Sequence, residues 1–251
     1  MPSQLILICG PTATGKTRLG VALAKALGGE VVSADSMQVY RRMDIGTAKP
    51  TPEEMRGIPH HMLDVADPEE DFSVARYVEL AAPCVDDILA RGKLPIVAGG
   101  TGLYLDSLLS GRTFAPFSPD GGLRARLEAR FDALGGEAML GELAAADPEA
   151  RLLPNDRKRI VRALEVFQQT GKTISQHNRE TRALPLRYDA LTLSLAFQRR
   201  EDMWARIDRR VDEMMAAGLA EEVRALLDSG VPVRCTAMQA IGYKEMAAAL
   251  G

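Results

Sequence analysis

Gly10-Pro11-Thr12-Ala13-Thr14-Gly15-Lys16-Thr17 is the stretch that decides the fold of this 251-residue chain. It fits the pattern G-x-x-x-x-G-K-[ST], follows the apolar run Leu5–Cys9 and opens an Ala- and Leu-rich helical segment, Arg18–Leu27. A glycine-rich loop between a strand and a helix presents backbone N–H groups and a helix N-terminus to a phosphate. The sequence therefore predicts a di- or triphosphate site, although the motif alone specifies neither hydrolysis nor a nucleotide.

The residue types in this loop suit a phosphate ligand. Glycine at positions 10 and 15 lets backbone N–H groups turn inward, and the helix N-terminus adds partial positive charge. Lys16 supplies a point charge for the outer oxygens, and the hydroxyl of Thr17 can ligate Mg²⁺. The flanking strand and helix are the context that the motif requires, so we favour a phosphate site over a chance glycine-rich turn.

Two patterns of nucleotide hydrolases are missing from the sequence. The apolar strand Leu94–Ala98 is followed by Gly99-Gly100-Thr101-Gly102 and does not end in the Asp that usually helps to hold Mg²⁺. The guanine-binding string N-K-x-D does not occur. Both absences argue against a GTPase or a motor ATPase.

Apolar periodicity predicts an α/β fold, a P-loop NTPase-like parallel sheet with flanking helices. The strand–loop–helix–strand order at the start of the chain is a βαβ unit, which pairs its strands in parallel. The predicted strands are Leu5–Cys9, Val31–Val32, Leu94–Ala98 and Tyr188–Phe197. The predicted helices are Arg18–Leu27, Phe72–Arg91, Leu123–Leu134, Glu137–Ala146, Asp156–Thr170, Arg200–Ala217 and Ala220–Leu227.

An all-helical insertion interrupts the predicted sheet. Residues 123 to about 178 show helical periods only, and the Pro-, Gly- and Ser-rich stretch Thr113–Gly122 predicts a linker leading into them. We therefore expect the first part of the P-loop core at 1–112, the helical insertion at 113–185 and the return to the core at 186–251.

Two polar residues follow predicted strands on the same rim as the phosphate loop. Asp35 comes just after Val31–Val32, and Thr101 comes just after Leu94–Ala98. Because ligands of open parallel sheets bind at the carboxyl ends of the strands, both side chains should meet the loop at one crevice. A carboxylate there could bind Mg²⁺ through water or accept a proton, but an Asp also commonly caps a turn. The Thr101 hydroxyl could donate to a phosphate oxygen, or the segment could be a simple glycine-rich turn.

The net charge conceals a strong asymmetry. The 31 Lys and Arg residues against 34 Asp and Glu give −3, which by itself argues against a nucleic-acid partner. Residues 151–200, however, hold eleven basic and four acidic residues, a net charge of +7 that leaves −10 for the remainder. A basic segment in an otherwise acidic protein suits electrostatic binding to the phosphates of an RNA backbone.

Composition excludes several other classes of protein. A hydrophobic content of 46% rules out a disordered chain, and Cys9, Cys84 and Cys235 are too few and too far apart for a disulfide framework or a zinc site. A reducing cytoplasm is the natural compartment for such free thiols. The first apolar run is too short for a signal sequence, and no run approaches the roughly 18 residues of a membrane span.

Ordered strings along nearly the whole chain resemble the tRNA dimethylallyltransferase family. The phosphate loop is generic, but the strings around Asp35, Ile45 and Thr101 are specific when they occur together and in order. The matching strings are Gly10–Thr17, Asp35–Tyr40, Met43–Pro50, Pro59–His61, Gly99–Tyr104, Asn155-Asp156, Arg159, Arg162–Val166, Gly218-Leu219, Glu222-Val223 and Ile241–Glu245.

The resemblance implies transfer of a dimethylallyl group from dimethylallyl diphosphate to N6 of the adenosine 3′-adjacent to the anticodon, with release of diphosphate. It implies that Asp35 removes the amine proton, that Thr101 contacts the pyrophosphate and that Arg210 clamps it. Arg206 and Arg210 are equally typical of a solvated helix face. The implied diphosphate-binding residues, with Mg²⁺ on Thr17, are Gly10, Thr12, Ala13, Thr14, Gly15, Lys16, Thr17 and Arg206.

The resemblance also implies that the helical insertion binds the tRNA anticodon stem-loop. A stacked base cannot reach a buried diphosphate, so the adenine should be flipped out. The family usually continues past the Ile241–Glu245 string with a basic, aromatic segment, and we expect its tRNA contacts to be missing here. The implied tRNA-binding residues are Asp35, Ser36, Met37, Gln38, Thr101, Arg124, Arg159, Ile160, Val161, Arg162, Ala163, Gly242, Tyr243 and Lys244.

Alternatives to this function remain open from the residues alone. A small-molecule or nucleotide kinase shares the strand–loop–helix start and carries a helical lid, and an RNA-binding module could keep a phosphate loop for structure only. We expect a monomer that has no membrane partner. His60 and His61 suggest packing because neighbours on a strand cannot face one ion, and Trp204 suggests a core residue.

Overall fold

The computed structural model describes residues 4–111, 121–183 and 185–251. Most of the predicted linker Thr113–Gly122 lies outside the described residues. The chain divides into two compact units, one made of Met1–Gly111 with Leu186–Gly251 and the other of Arg112–Pro185. No helix in the described ranges is long and apolar enough to cross a membrane.

The first unit is built on a five-stranded sheet in which every pair of strands is parallel. The order is β3-β2-β4-β1-β5, so β1, which leads into the phosphate loop, lies between β4 and β5. This arrangement confirms the predicted α/β class with a parallel sheet. The strands are β1 Leu5–Cys9, β2 Glu30–Ser33, β3 His60–His61, β4 Pro95–Ala98 and β5 Ala190–Ser194.

Helices connect and flank these strands. Alanine and leucine at steps of three and four residues explain α1, and the Ser73 hydroxyl, which accepts a hydrogen bond from the Arg76 backbone N–H, caps the start of α3. The helices of this unit are α1 Lys16–Leu27, α2 Pro52–Met55, α3 Val74–Ala90, α4 Gly102–Ser110, α8 Arg200–Ala216, α9 Leu219–Asp228 and α10 Tyr243–Leu250.

The neighbouring buried strands β2 and β4 end close to each other. Strands β2 and β4 are buried at every position, as expected for strands covered on both faces. Gly99 makes the close packing at their ends possible, since a Cβ there would lie 2.1 Å from the carbonyl oxygen of Ala34. The segments that follow β2 and β4 therefore lie against each other.

The second unit has a small hydrophobic core of its own. The described helices are α5 Gly121–Ala146, α6 Arg157–Thr170 and α7 Ile174–Arg182. Gly135 interrupts α5 with φ 80° and ψ 164°, between the two helices that the sequence predicts there. The core residues Leu127, Met139, Leu143, Ile160 and Leu164 are all 1% exposed or less.

Several expectations about individual residues and elements need correction. The prediction that Trp204 is a core residue is wrong, because it is 51% exposed and its ring lies 5.5 Å from the Arg200 guanidinium carbon. α8 has no buried residue along its whole length, so its apolar side chains do not enter the hydrophobic core. The predictions missed α2, β3, α4 and α7, which are short, whereas the helical pattern of Ala247–Gly251 agrees with the end of α10.

The histidine pair forms the edge strand β3 and contacts the protein. His61 Nε2 lies 2.8 Å from a carboxylate oxygen of the buried Glu30, and His60 Nδ1 lies 2.8 Å from the carbonyl oxygen of Ile58. Glu30 also accepts hydrogen bonds from Arg91 and Lys93. His61 thus belongs to a network of polar contacts around Glu30 at the start of β2.

Candidate active site

The phosphate loop is stabilised by its own glycines and by Lys16. Gly10 has φ 143°, and a Cβ there would lie 2.4 Å from the carbonyl oxygen of Leu195, so only glycine fits beside the residue after β5. Gly15 has φ 88°. The ammonium of Lys16 donates to the carbonyl oxygens of Gly10 and Pro11 at 2.9 and 2.8 Å, which closes the loop over its side chain. Burial lowers the pKa of Lys16 from 10.5, and the nearby Asp35 opposes that shift.

Other residues of the loop form hydrogen bonds within the protein or line cavities. Ala13 is held at φ 65°, a conformation that L-residues rarely adopt, and its carbonyl oxygen accepts a hydrogen bond of 3.2 Å from Arg206. The hydroxyl of Thr14 donates to the Pro11 carbonyl oxygen at 2.8 Å. Thr12 and Thr14 line two different cavities.

Asp35 caps a turn and also lines a cavity. Its Oδ1 accepts hydrogen bonds from the backbone N–H groups of Met37 at 2.9 Å and Gln38 at 3.4 Å, so one oxygen caps the turn. No hydrogen bond among the described residues uses the other oxygen. Asp35 also lines the cavity beside Thr12. The cap fixes the carboxyl group while one oxygen stays available for chemistry.

Thr101 links the end of β4 to the segment after β2. Its backbone N–H donates to the carbonyl oxygen of Ala34 at 3.2 Å, and its hydroxyl oxygen accepts a hydrogen bond from the Ser36 backbone N–H at 3.0 Å. The hydroxyl also lies 3.3 Å from the Ser36 hydroxyl. Thr101 and Ser36 therefore lie on the same rim as Asp35, where the strand order places them.

An apolar cavity of about 550 Å³ adjoins the phosphate loop. Its polar lining residues include Thr12, Asp35 and Arg210. Burial lowers the pKa of Arg210 below its usual value, and the negative charge of Asp35 opposes that shift. The apolar side chains that line the cavity are Met37, Ile207, Val211, Met214, Leu219, Ala240 and Ile241.

A second, more polar cavity of about 510 Å³ also adjoins the loop, at Thr14. Arg206 and Arg209 from α8 line it together with Thr14 and Phe197. The guanidinium carbon of Arg206 lies 5.7 Å from the centre of the Phe197 ring, which gives this exposed arginine a fixed apolar support. Arg209 is a further cation at this place, and no sequence motif indicated it.

The predicted tRNA contacts of the first unit differ in what their side chains can reach. Met37 lines the cavity, but the Gln38 amide is fully engaged inside the protein. It accepts a hydrogen bond from Ser33 at 3.0 Å and donates to the carbonyl oxygens of Thr47 and Ala48 at 3.2 and 3.1 Å. Gly242 lines the cavity and Lys244 is exposed. Tyr243 is fully buried, so its side chain packs inside the protein.

In the second unit, only part of the predicted tRNA-binding string is on the surface. Ile160, Val161 and Ala163 are at most 3% exposed and belong to the core of the unit. Arg159 and Arg162 line a cavity of about 610 Å³, to which Ala163 also contributes. That cavity also carries Arg151, Lys158 and Arg179, cations that the sequence analysis counted as charge but did not assign to a site.

A buried carboxylate organises two of the predicted tRNA-binding arginines. Glu165 has no exposed surface, and its Oε2 accepts hydrogen bonds from Arg124 at 2.8 Å and Arg162 at 3.1 Å. Arg124 comes from α5 and Arg162 from α6, so the carboxylate joins the two helices while both guanidinium groups stay partly exposed.

Mg²⁺ would depend on the diphosphate for most of its ligands at this site. In the described parts of the chain, no group of three or more His, Cys, Asp or Glu side chains could hold a metal ion. The Thr17 hydroxyl lies at the second residue of α1, beside Lys16. One hydroxyl together with phosphate oxygens and water is a donor set that suits Mg²⁺.

Comparisons with known proteins agree with one another. The model of the IPP transferase family matches residues 38–251, and that of the isopentenyl transferase family matches residues 3–70. The chain is 50% identical to tRNA dimethylallyltransferase 1 of Trichlorobacter lovleyi, covering 100% of this chain and 82% of that protein. It is 48% identical to tRNA dimethylallyltransferase of Geobacillus thermodenitrificans, covering 98% of this chain and 78% of that protein.

Solved structures give the same result. The full-length tRNA isopentenylpyrophosphate transferase of Bacillus halodurans is 43% identical with a TM-score of 0.69, covering 99% of this chain and 77% of that chain. A eukaryotic dimethylallyltransferase acting on tRNA is 31% identical with a TM-score of 0.82, covering 99% and 63% respectively.

Proposed function

The chain belongs to the tRNA dimethylallyltransferase family, and on that premise we propose which of its residues carry out the transfer of a dimethylallyl group to tRNA. The observation that carries the proposal is one juxtaposition. The phosphate loop, Asp35 and Arg210 all adjoin a single cavity whose other walls are largely apolar. A diphosphate ester of a short hydrocarbon, with an amine as its acceptor, needs those three environments side by side.

The phosphate loop holds the diphosphate of the donor. Lys16 is already held across the loop by two carbonyl oxygens, and phosphate oxygens would replace these uncharged acceptors. Arg206 and Arg210 lie near the loop on one turn of α8, and their guanidinium groups suit phosphate oxygens geometrically. Mg²⁺ would bind Thr17 and the diphosphate, and would supply further positive charge where negative charge develops.

The apolar part of the cavity accommodates the hydrocarbon. Ile207, Val211 and Met214 on α8 offer it a surface without competing nucleophiles. Apolar walls also keep water away from a reactive allylic carbon, which would otherwise be hydrolysed. The 550 Å³ volume leaves space for an adenine beside the five-carbon chain.

Bond breaking and bond making follow from this placement. The bond between the allylic carbon and the diphosphate oxygen breaks, and its electron pair leaves with the diphosphate, where Lys16 and the loop amides stabilise the charge. The adenine amine donates its lone pair to the allylic carbon. The unengaged oxygen of Asp35 then takes the proton that the new carbon–nitrogen bond makes acidic, as a general base. Thr101 holds the Ser36 backbone beside Asp35 and reaches the diphosphate through its hydroxyl.

The tRNA is held by cations of the second unit. Arg159 and Arg162 are the charged residues of the predicted string that line the basic cavity, and Lys158 and Arg179 add to it. Phosphate contacts of this kind set affinity and register, whereas the base enters the reaction site only after it has left its stack. The monomeric state and the cytoplasmic location expected from the sequence stay predictions.

The two alternative functions are not supported. A kinase with a helical lid should be similar in sequence to known kinases. The relatives named above are instead dimethylallyltransferases that act on tRNA. A purely RNA-binding module would not need a carboxylate and a phosphate loop around one apolar cavity.

A prenyl-incorporation assay tests the proposal. Unmodified tRNA and dimethylallyl diphosphate are incubated with the protein, and the nucleosides are analysed by mass spectrometry. We expect Asp35→Asn to lower kcat by about 10²- to 10⁴-fold while the donor still binds, because the general base is lost and the phosphate loop is intact. The matched control is Asp228→Asn, an exposed aspartate at the end of α9. Normal prenyl transfer by Asp35→Asn would reject the assigned base.

A further inference from the structure

Glu222 binds a loop that is far from it in sequence. Its carboxylate accepts hydrogen bonds from the backbone N–H groups of Asp44 at 2.8 Å, Ile45 at 2.9 Å and Gly46 at 3.2 Å. It also accepts one from the hydroxyl of Tyr243 at 2.5 Å. The carboxylate belongs to α9, and four donors are therefore gathered on its two oxygens.

Successive backbone N–H groups that converge on one point form a concave anion site. In this protein the anion is a side chain of the same chain. A carboxylate is a stronger acceptor than a neutral group for such donors, and each charge-assisted bond is about twice as strong as a neutral one. The conformation of Asp44–Gly46 therefore depends on the negative charge of Glu222.

The other face of the same loop is fixed by a different side chain. Gln38 donates to the carbonyl oxygens of Thr47 and Ala48, at 3.2 and 3.1 Å. Gly46 lies against Tyr243 so closely that a Cβ would be 2.4 Å from the ring. The loop is thus held through its N–H groups by Glu222, through its carbonyl groups by Gln38, and sterically by the Tyr243 ring.

The loop and its support form neighbouring parts of the wall of the apolar cavity. Gly46 and Thr47 line the cavity from the loop, whereas Leu219 and Gly242 line it from the segments that carry Glu222 and Tyr243. Glu222 joins these two parts. Its hydrogen bonds do not reach the phosphate loop, which is held by the contacts of Lys16 and its glycines.

We propose that Glu222 is a positioning residue for prenyl transfer, which fixes the Asp44–Gly46 loop as the wall against which the hydrocarbon chain of the donor lies. The inference rests on the proposed function, because it takes the apolar cavity as the site of that chain. It adds a separable consequence. Removing the charge of Glu222 should disturb binding of the hydrocarbon and leave binding of the diphosphate group unchanged.

The test compares Glu222→Gln with Glu221→Gln, which changes the exposed neighbour on the same helix. The substitution keeps the size of the side chain but places an NH₂ group against N–H donors. We expect the KM for dimethylallyl diphosphate to rise about tenfold, since hydrogen bonds to a charged acceptor are lost. The inhibition constant of inorganic pyrophosphate, which has no hydrocarbon, should stay within about twofold of the unaltered protein.

Tyr243→Phe provides a second variant in case Glu222→Gln fails to fold. It removes one donor to Glu222 and leaves the three backbone N–H groups in place. We expect the donor KM to rise about threefold, again with unchanged pyrophosphate inhibition. Thermal unfolding, measured for every variant, shows which of them are folded at the assay temperature.

Three outcomes would overturn the inference. The first is that Glu222→Gln is folded and its KM for dimethylallyl diphosphate is unchanged. The second is that Glu222→Gln is unfolded and the KM of Tyr243→Phe for the donor is unchanged. The third is that pyrophosphate inhibition weakens in parallel with the rise in donor KM, which would assign Glu222 a general structural role.

Val211→Trp, which fills the cavity, separates the inference about Glu222 from the proposed function. If it raises the donor KM while Glu222→Gln does not, only the inference about Glu222 fails. If neither does, the cavity is not the site of the hydrocarbon.

Discussion

The hydroxyl oxygen of Thr101 lies 3.0 Å from the backbone nitrogen of Ser36, so the turn after β4 holds the segment that follows β2. This contact is possible because β2 and β4 are neighbours in the sheet and Gly99 permits the two chain ends to touch. Asp35 is the residue before Ser36. The placement of the proposed base therefore depends on a hydroxyl group 66 residues farther along the chain.

Thr101→Ser should retain most of the activity, and Thr101→Ala should lose much of it. Serine keeps the acceptor for the Ser36 N–H group, whereas alanine leaves that group without its partner and also removes the hydroxyl near the diphosphate. We expect a loss of kcat/KM of about 10- to 100-fold for alanine, the equivalent of one to two lost hydrogen bonds. Steady-state kinetics with saturating tRNA measure it. Equal activity of both variants would contradict the role of the hydroxyl.

Donor binding should weaken at alkaline pH because of Lys16. Burial lowers the pKa of Lys16 in the free protein from 10.5, and only the ammonium form attracts phosphate oxygens. As the pH rises through that lowered pKa the charge is lost, so the KM for the donor should start to rise below pH 10.5. Lys16→Arg keeps its charge in this range, so its donor KM should be higher at every pH but should change less with pH. A flat profile for the unaltered protein would contradict a Lys16 role in donor binding.

The sequence was sufficient for the elements whose signals are local. The phosphate loop, β1, α1 and α3 follow from glycine positions and apolar periodicity, and Asp35 and Thr101 follow from the rule that parallel strands present their carboxyl ends at one edge. The burial of the Tyr243 side chain and the exposure of Trp204 did not follow. Both depend on tertiary contacts, since an aromatic residue on an amphipathic helix looks the same whether or not another element covers it.

Glu222 illustrates why part of the site could not be predicted. It stands in a matched family string, but its partners, Asp44–Gly46, are far away in the sequence and contribute only backbone groups. Backbone N–H groups leave no trace in residue types, so no spacing or composition signal points to this contact. Gly46 gave the only local sign, a small residue where the Tyr243 ring approaches.

Glu30 should stabilise the fold in a pH-dependent way. It is 2% exposed, and its hydrogen bonds from Arg91, with those from Lys93 and the contact with His61, hold its pKa well below the usual 4.5. A depressed pKa contributes stability above the pKa of the unfolded chain, and this stability is lost as the pH falls through the folded value. Glu30→Gln should therefore lower the free energy of unfolding by about 2 kcal/mol at pH 7.

The difference between Glu30→Gln and the unaltered protein should shrink below about pH 4.5, where the unfolded carboxyl group becomes protonated. Urea unfolding at several pH values measures it, with Glu79→Gln, an exposed glutamate on α3, as the control. A difference that stays constant from pH 7 to pH 3 would show that shape and not charge accounts for the loss of stability.

Arg159→Ala should weaken tRNA binding without changing the reaction of bound tRNA. Arg159 lines the basic cavity of the second unit, and Lys158 and Arg179 line the same cavity. A side chain that contacts one phosphate contributes about one unit to the slope of log affinity against log salt, so the slope should become shallower by about one unit or slightly less. The tRNA KM should rise while kcat and the donor KM stay unchanged.

The control for this prediction is Arg56→Ala, which changes an exposed arginine of the first unit. An unaltered salt slope in Arg159→Ala would place the RNA backbone elsewhere, and a fall in kcat at saturating tRNA would mean that Arg159 acts in the reaction itself.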